Sequence, residues 1–139
     1  MKLEHSITIN APLEKVWALN TDVENWPSLM TTVTSVKRLD DGPLHPGSSA
    51  LLKQPGQRPT VWTVTDVEPH RFFAWNTKTV GMSMRATHTL VQTGDAVTNT
   101  LGIEMSGGLA AIIGRIVSRS VRKVIKTENE SFKRAAETV

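Results

Sequence analysis

The chain has no cysteine and no tyrosine, and each absence removes a class of chemistry. Without thiols there is no disulfide, thiolate nucleophile, iron–sulfur cluster or zinc–thiolate site. Without a phenol, any acid–base step in the interior falls to His88, a threonine or Arg85. No stretch approaches the roughly 18–20 apolar residues that a membrane span requires. The opening Met1-Lys2-Leu3-Glu4-His5-Ser6-Ile7 alternates polar and apolar residues and holds no hydrophobic run of leader length, so a cytoplasmic location is expected. Also missing are a glycine-rich phosphate loop, a serine in a nucleophile elbow, a histidine pair at metal spacing and a carboxylate pair suited to glycoside hydrolysis. Neither a metal nor a cofactor is expected.

What is present fits one domain spanning 1–139, long enough to bury a core without covalent staples. Sixteen basic residues against thirteen acidic give a net charge of +3, too modest to argue for a nucleic-acid partner. Its distribution is more informative. Arg115, Arg119, Arg122, Lys123 and Lys126 form a run of cations with no acid among them. Such a run reads as a solvated helix face, or through its single sign as a surface for peripheral contact with an anionic membrane or an acidic partner. No aromatics are interleaved with it, which argues against a single-stranded nucleic-acid platform.

Leu3, His5, Ile7 and Ile9 alternate with polar residues at the period of a half-buried strand. Asn10-Ala11-Pro12 then offers a cap and a first-turn proline for a short helix carrying Leu13, Val16 and Trp17. Thr21-Asp22 can cap a second helix through Trp26, which Pro27 should distort or end. From Thr31 to Met105 the pattern becomes extended. Strands are expected at 32–39, 48–54, 59–67, 70–78, 83–92 and 96–105, separated by turn formers such as Gly42-Pro43, Pro55-Gly56 and Gly94-Asp95. The connections are too short for parallel crossovers, so the seven strands should form a mostly antiparallel sheet. Beyond Gly107-Gly108, Leu109, Ile112, Ile113, Ile116, Val117, Val121, Val124, Ile125 and Phe132 repeat at helical spacing. A helix over 109–136 would be about 40 Å long and must lie across the sheet. Periodicity predicts these two layers of an α+β fold; it does not say whether the space between them is solid or open.

The stretch from Ile7-Thr8-Ile9-Asn10-Ala11-Pro12 through Val16-Trp17 to Trp26-Pro27 resembles the opening of the polyketide cyclase/dehydrase and lipid transport family, within the START-like, Bet v 1-like superfamily. Val67-Glu68-Pro69-His70-Arg71-Phe72-Phe73-Ala74-Trp75 and the Phe132-Lys133-Arg134-Ala135-Ala136-Glu137 ending match in order as well. The resemblance covers nearly the whole chain. It implies a helix-grip fold: a curved seven-stranded antiparallel sheet wrapped round a long C-terminal helix, with two short helices between the first and second strands. It also implies an internal cavity for a hydrophobic small molecule such as a lipid, polyketide or aromatic compound; a monomer or homodimer is expected. Fold alone leaves the activity open. The alternatives are a polyketide cyclase, aromatase or dehydratase acting in that cavity, or a non-catalytic interaction module with the cavity filled.

Within such a cavity, Trp26 near the mouth, Trp62, Phe73 and Trp75 would supply rigid apolar surface. Met84, His88 and Leu90 share one parity of the 83–92 strand and would face inward with them. Leu101, Ile113 and Val117 complete the expected lining from the last strand and the long helix. His88 is the sole catalytic candidate, since its reference pKa lies near neutrality; the plain alternative is a core-edge histidine satisfied by a backbone carbonyl or water.

Overall fold

The computed structural model describes residues 1–138. The chain opens with β1 (Lys2–Ile9), α1 (Leu13–Thr21), a 3-10 turn at Val23–Asn25 and the single-turn helix α2 (Trp26–Leu29). Six strands follow: β2 (Ser35–Arg38), β3 (Ser49–Lys53), β4 (Thr60–Glu68), β5 (Phe72–Thr79), β6 (Met82–Thr93) and β7 (Ala96–Ser106). The helix α3 (Ala110–Glu137) completes the described chain. The sheet order is β1-β7-β6-β5-β4-β3-β2, and every pairing is antiparallel. This is the helix-grip fold expected from the sequence.

The register arranges the inner face in transverse rows. His5, Leu101, His88 and Phe73 stand opposite one another across β1, β7, β6 and β5. Leu3, Ile103, Ala86 and Trp75 form the next row, and Met105, Met84 and Thr77 the one beyond. α1 packs over the first row, touching β6, β7 and α3. That end is solid: Val16, Phe73, Val97 and Phe132 are fully buried. Truncating an aromatic of this kind to alanine typically costs about 3–5 kcal/mol, because cavity formation adds to the lost transfer energy.

Three local expectations are corrected. Pro27 does not end a helix but stands in the first turn of α2, where its missing N–H has no intrahelical acceptor to lose. The strand expected from residue 32 begins only at Ser35; the Thr32 hydroxyl instead donates to Glu128 of α3, and Val33 is buried in the core. Ile112 and Ile116, expected in the buried stripe of the long helix, are 62% and 75% exposed. They lie beside the buried face, which runs through Ala110, Gly114, Ile125, Asn129, Phe132 and Ala136.

The strand-to-helix reversal before α3 depends on Gly107. It adopts φ of 110°, in the left-handed half of backbone space, and a Cβ there would lie 2.8 Å from the Gly81 carbonyl oxygen.

Candidate functional site

Between the second and third rows of the sheet and the middle of α3 lies a cavity of about 260 Å³. Trp26, Trp62, Trp75, Met84, Ala86 and Ile103 line one side, and Val117, Val121, Val124 and Ile125 the other. Gln54, Gln57, Thr60, Thr79 and Ser120 supply polar groups on the same lining. Side chains leave this space between the two layers unfilled. Its volume lies just under the range of roughly 300–1,000 Å³ common for ligand pockets and exceeds the ~150 Å³ engineered cavity that accepts benzene.

Of the residues expected in the lining, the structure brings Trp26, Trp62, Trp75, Met84, His88 and Val117 to this cavity. Phe73, Leu90 and Leu101 share their inward parity but are buried in packed core. Phe73 and Leu101 belong to the row under α1, and Leu90 lies farther along β6 in the same direction. Ile113 is half-buried on the first part of α3 and is also absent from the lining. Parity identified the face of each strand; depth along the strand decided which side chains meet open space.

The aromatic wall is continuous. Trp62 and Trp75 lie 5.8 Å apart between ring centroids, and Trp26 meets Trp75 edge-on at 5.5 Å. The Trp26 indole N–H donates to the Leu19 carbonyl oxygen at 3.1 Å, which fixes the ring over the cavity.

His88 sits where this wall meets the solid end. Its imidazole stacks on Phe73, at 4.2 Å and 15°, and on Trp26, at 5.5 Å and 21°. Burial in these apolar surroundings penalises the imidazolium and lowers its pKa to about 3, so the ring is neutral at physiological pH. Its Nδ1 lies 2.8 Å from Oδ1 of Asn20. Asn20 Nδ2 donates to the Val16 carbonyl oxygen at 2.9 Å and to Oδ1 of Asn99 at 3.1 Å. Asn99 Nδ2 donates in turn to Oδ1 of Asn129 at 2.7 Å. Asn129 Nδ2 ends the chain on the carbonyl oxygens of Asn99 and His5, both at 3.0 Å, and on Nδ1 of His5 at 2.9 Å. All three asparagines are fully buried. The partner of His88 is thus a side-chain amide and not the backbone carbonyl or water expected from the sequence.

Sequence reading missed Glu128. Its carboxyl lines the cavity and accepts a hydrogen bond from the Thr32 hydroxyl at 3.0 Å. Burial raises its pKa to about 7, against the opposing pull of that hydrogen bond. The signal was present: Glu128 follows Val117, Val121 and Val124 at helical spacing, an acid on an otherwise apolar stripe. His88 and Glu128 are the two titratable groups on the lining. Among the described residues no group of three metal-ligating side chains converges, and no helix is long and apolar enough to cross a membrane.

Comparison with known proteins gives a family and a fold. The polyketide cyclase / dehydrase and lipid transport family matches residues 1–137. A candidate polyketide cyclase of Streptomyces halstedii is 46% identical over 37 residues, 27% of this chain and 34% of that relative, so the match spans only about a third of its length. Among solved structures, a major latex-like protein from Panax ginseng superposes with a TM-score of 0.79 at 9% identity, covering 99% of this chain and 98% of that one. The di-domain ARO/CYC protein BexL, from the BE-7585A biosynthetic pathway, superposes with a TM-score of 0.74 at 18% identity. There 99% of this chain corresponds to 48% of the longer one.

Proposed function

Because the chain belongs to the polyketide cyclase/dehydrase and lipid transport family, we propose that it binds a compact hydrophobic small molecule in the cavity between the sheet and α3. The observation that carries this reading is the open space of about 260 Å³ walled by three tryptophans. Apolar concave surface with a few placed polar groups is the usual composition of a ligand pocket. The test is native mass spectrometry of the purified protein, followed by solvent extraction and identification of whatever is released. Retention of an apolar molecule in one-to-one ratio is expected. A protein that carries nothing and takes up no member of a broad panel of lipids and aromatics would contradict the reading.

A second reading, that a polyketide-type cyclisation or dehydration runs in the same cavity, is favoured by Glu128. A carboxyl group titrating near 7 can exchange a proton with a bound molecule at physiological pH. His88, neutral down to about pH 3, is a much weaker base. Turnover of a poly-β-keto substrate abolished in folded Glu128→Gln would support this reading; turnover unchanged in that variant would remove Glu128 from it.

The same helix supports a peripheral contact with an anionic bilayer. Arg115, Arg119, Arg122 and Lys123 are exposed beside Ile112 and Ile116. Cations flanking exposed aliphatic side chains on one helix suit an interfacial position. Val117, Ser120 and Val121 of this segment line the cavity, so such a contact would hold the binding site close to the lipid.

A further inference from the structure

The buried asparagine chain has one permitted direction. Asn20 must present Nδ2 to the Val16 carbonyl oxygen, because an amide oxygen there would face another acceptor. Its Oδ1 is thereby turned to His88. At the far end, Asn129 must present Nδ2 to the carbonyl oxygens of His5 and Asn99. Its Oδ1 therefore receives Asn99 Nδ2, and Asn99 Oδ1 receives Asn20 Nδ2. Backbone carbonyls at both ends thus set all three amide orientations, which pairwise side-chain contacts alone would leave free.

An acceptor at Asn20 requires a proton on Nδ1 of His88. A neutral imidazole protonated at Nδ1 carries its lone pair on Nε2. Phe73 and Trp26 both stack on the ring, and Nδ1 is engaged with Asn20. His88 is among the residues lining the cavity, and Nε2 is the ring nitrogen that Asn20 does not engage. No hydrogen bond to it is made by any of the described residues.

We infer that His88 Nε2 is a fixed hydrogen-bond acceptor that selects hydroxyl-bearing aromatic ligands, and that Asn20, Asn99 and Asn129 are positioning residues acting through it. The inference rests on the cavity being a small-molecule site. A hydroxyl donates to Nε2 while the ring it carries packs against the tryptophan wall. A ligand lacking that donor displaces water from Nε2 and leaves the lone pair unpaired, which costs affinity. The chain accordingly converts a residue that could donate or accept into one that only accepts.

Two measurements test this. Long-range ¹H–¹⁵N correlation spectra of the wild-type protein should show His88 with a pyrrole-like Nδ1 and a pyridine-like Nε2; the opposite pattern overturns the inference without any ligand. Asn20→Ala should move these resonances toward tautomer averaging, whereas a residue with only a packing role would leave them in place. Then 2-naphthol, 2-methoxynaphthalene and naphthalene are titrated by calorimetry. 2-Naphthol should bind roughly tenfold or more tighter than its methoxy analogue, and His88→Phe should bring that ratio close to one. Equal affinities in the wild type would overturn the donor preference and leave the cavity reading standing. If none of the three binds, the selection of hydroxyl-bearing aromatics is overturned, while the small-molecule reading is decided separately by the broad ligand panel.

Discussion

The Thr32 hydroxyl donates to Oε2 of Glu128 at 3.0 Å, tying the segment after α2 to the middle of α3 at the wall of the cavity. The bond favours the carboxylate while burial favours the neutral acid, and burial prevails. Carboxyl ¹³C shifts followed against pH should place Glu128 near 7. Thr32→Val removes the favourable term and should raise the value further. A midpoint unchanged by this substitution would mean that the hydroxyl does not act on the carboxyl.

Glu128 also makes stability depend on pH in a defined direction. Its pKa rises from 4.5 in the unfolded chain to about 7 on folding, so the folded state binds the extra proton between those values. Stability is fully retained below about pH 4.5, declines as pH rises toward 7 and is level above it. The loss is at most about 3 kcal/mol, less to the extent that water in the cavity reaches the carboxylate. Urea unfolding of Glu128→Gln should therefore show a larger gain over wild type at pH 8 than at pH 4.5. A difference independent of pH would contradict the assignment.

Gly107 offers a test of the turn that delivers α3 to the sheet. Gly107→Ala forces a Cβ both into positive φ and against the Gly81 carbonyl; it should cost roughly 2 kcal/mol or more. Gly108→Ala meets nothing within 4 Å and should change stability by no more than about 0.5 kcal/mol. Thermal melts of the two variants give the comparison, and equal losses would contradict this account of the turn.

Most of the fold was legible because strand alternation and the long helical stripe are properties of consecutive residues. The family resemblance then supplied the curvature and the cavity. Pro27 was misread because a proline that ends one helix and a proline that begins the next look alike without the backbone. Phe73, Leu90 and Leu101 were placed on the correct face but at the wrong depth, since parity carries no information on where α1 stops covering the sheet. The Asn20–Asn99–Asn129 chain was not visible at all. Its members come from α1, β7 and α3, and only the folded chain joins them.

The cationic segment of α3 should bind vesicles containing phosphatidylserine more strongly than vesicles of phosphatidylcholine alone. Binding should weaken as salt screens Arg115, Arg119, Arg122 and Lys123, and Ile116→Glu should weaken it again by removing an exposed aliphatic anchor. Cosedimentation checks both effects. Failure to bind either vesicle would exclude a bilayer contact of this kind.

The claim on which the rest depends is that the space beneath the tryptophans is a binding site. A broad panel of lipids and aromatics titrated into the wild-type protein, followed through tryptophan emission, should include a compound that gives a saturable one-to-one change, because Trp26, Trp62 and Trp75 line the site. Val121→Phe, which projects a larger ring from α3 into the same space, should weaken that response about tenfold or more while leaving the protein folded. A panel in which no response saturates, or a response identical in the two proteins, would contradict it.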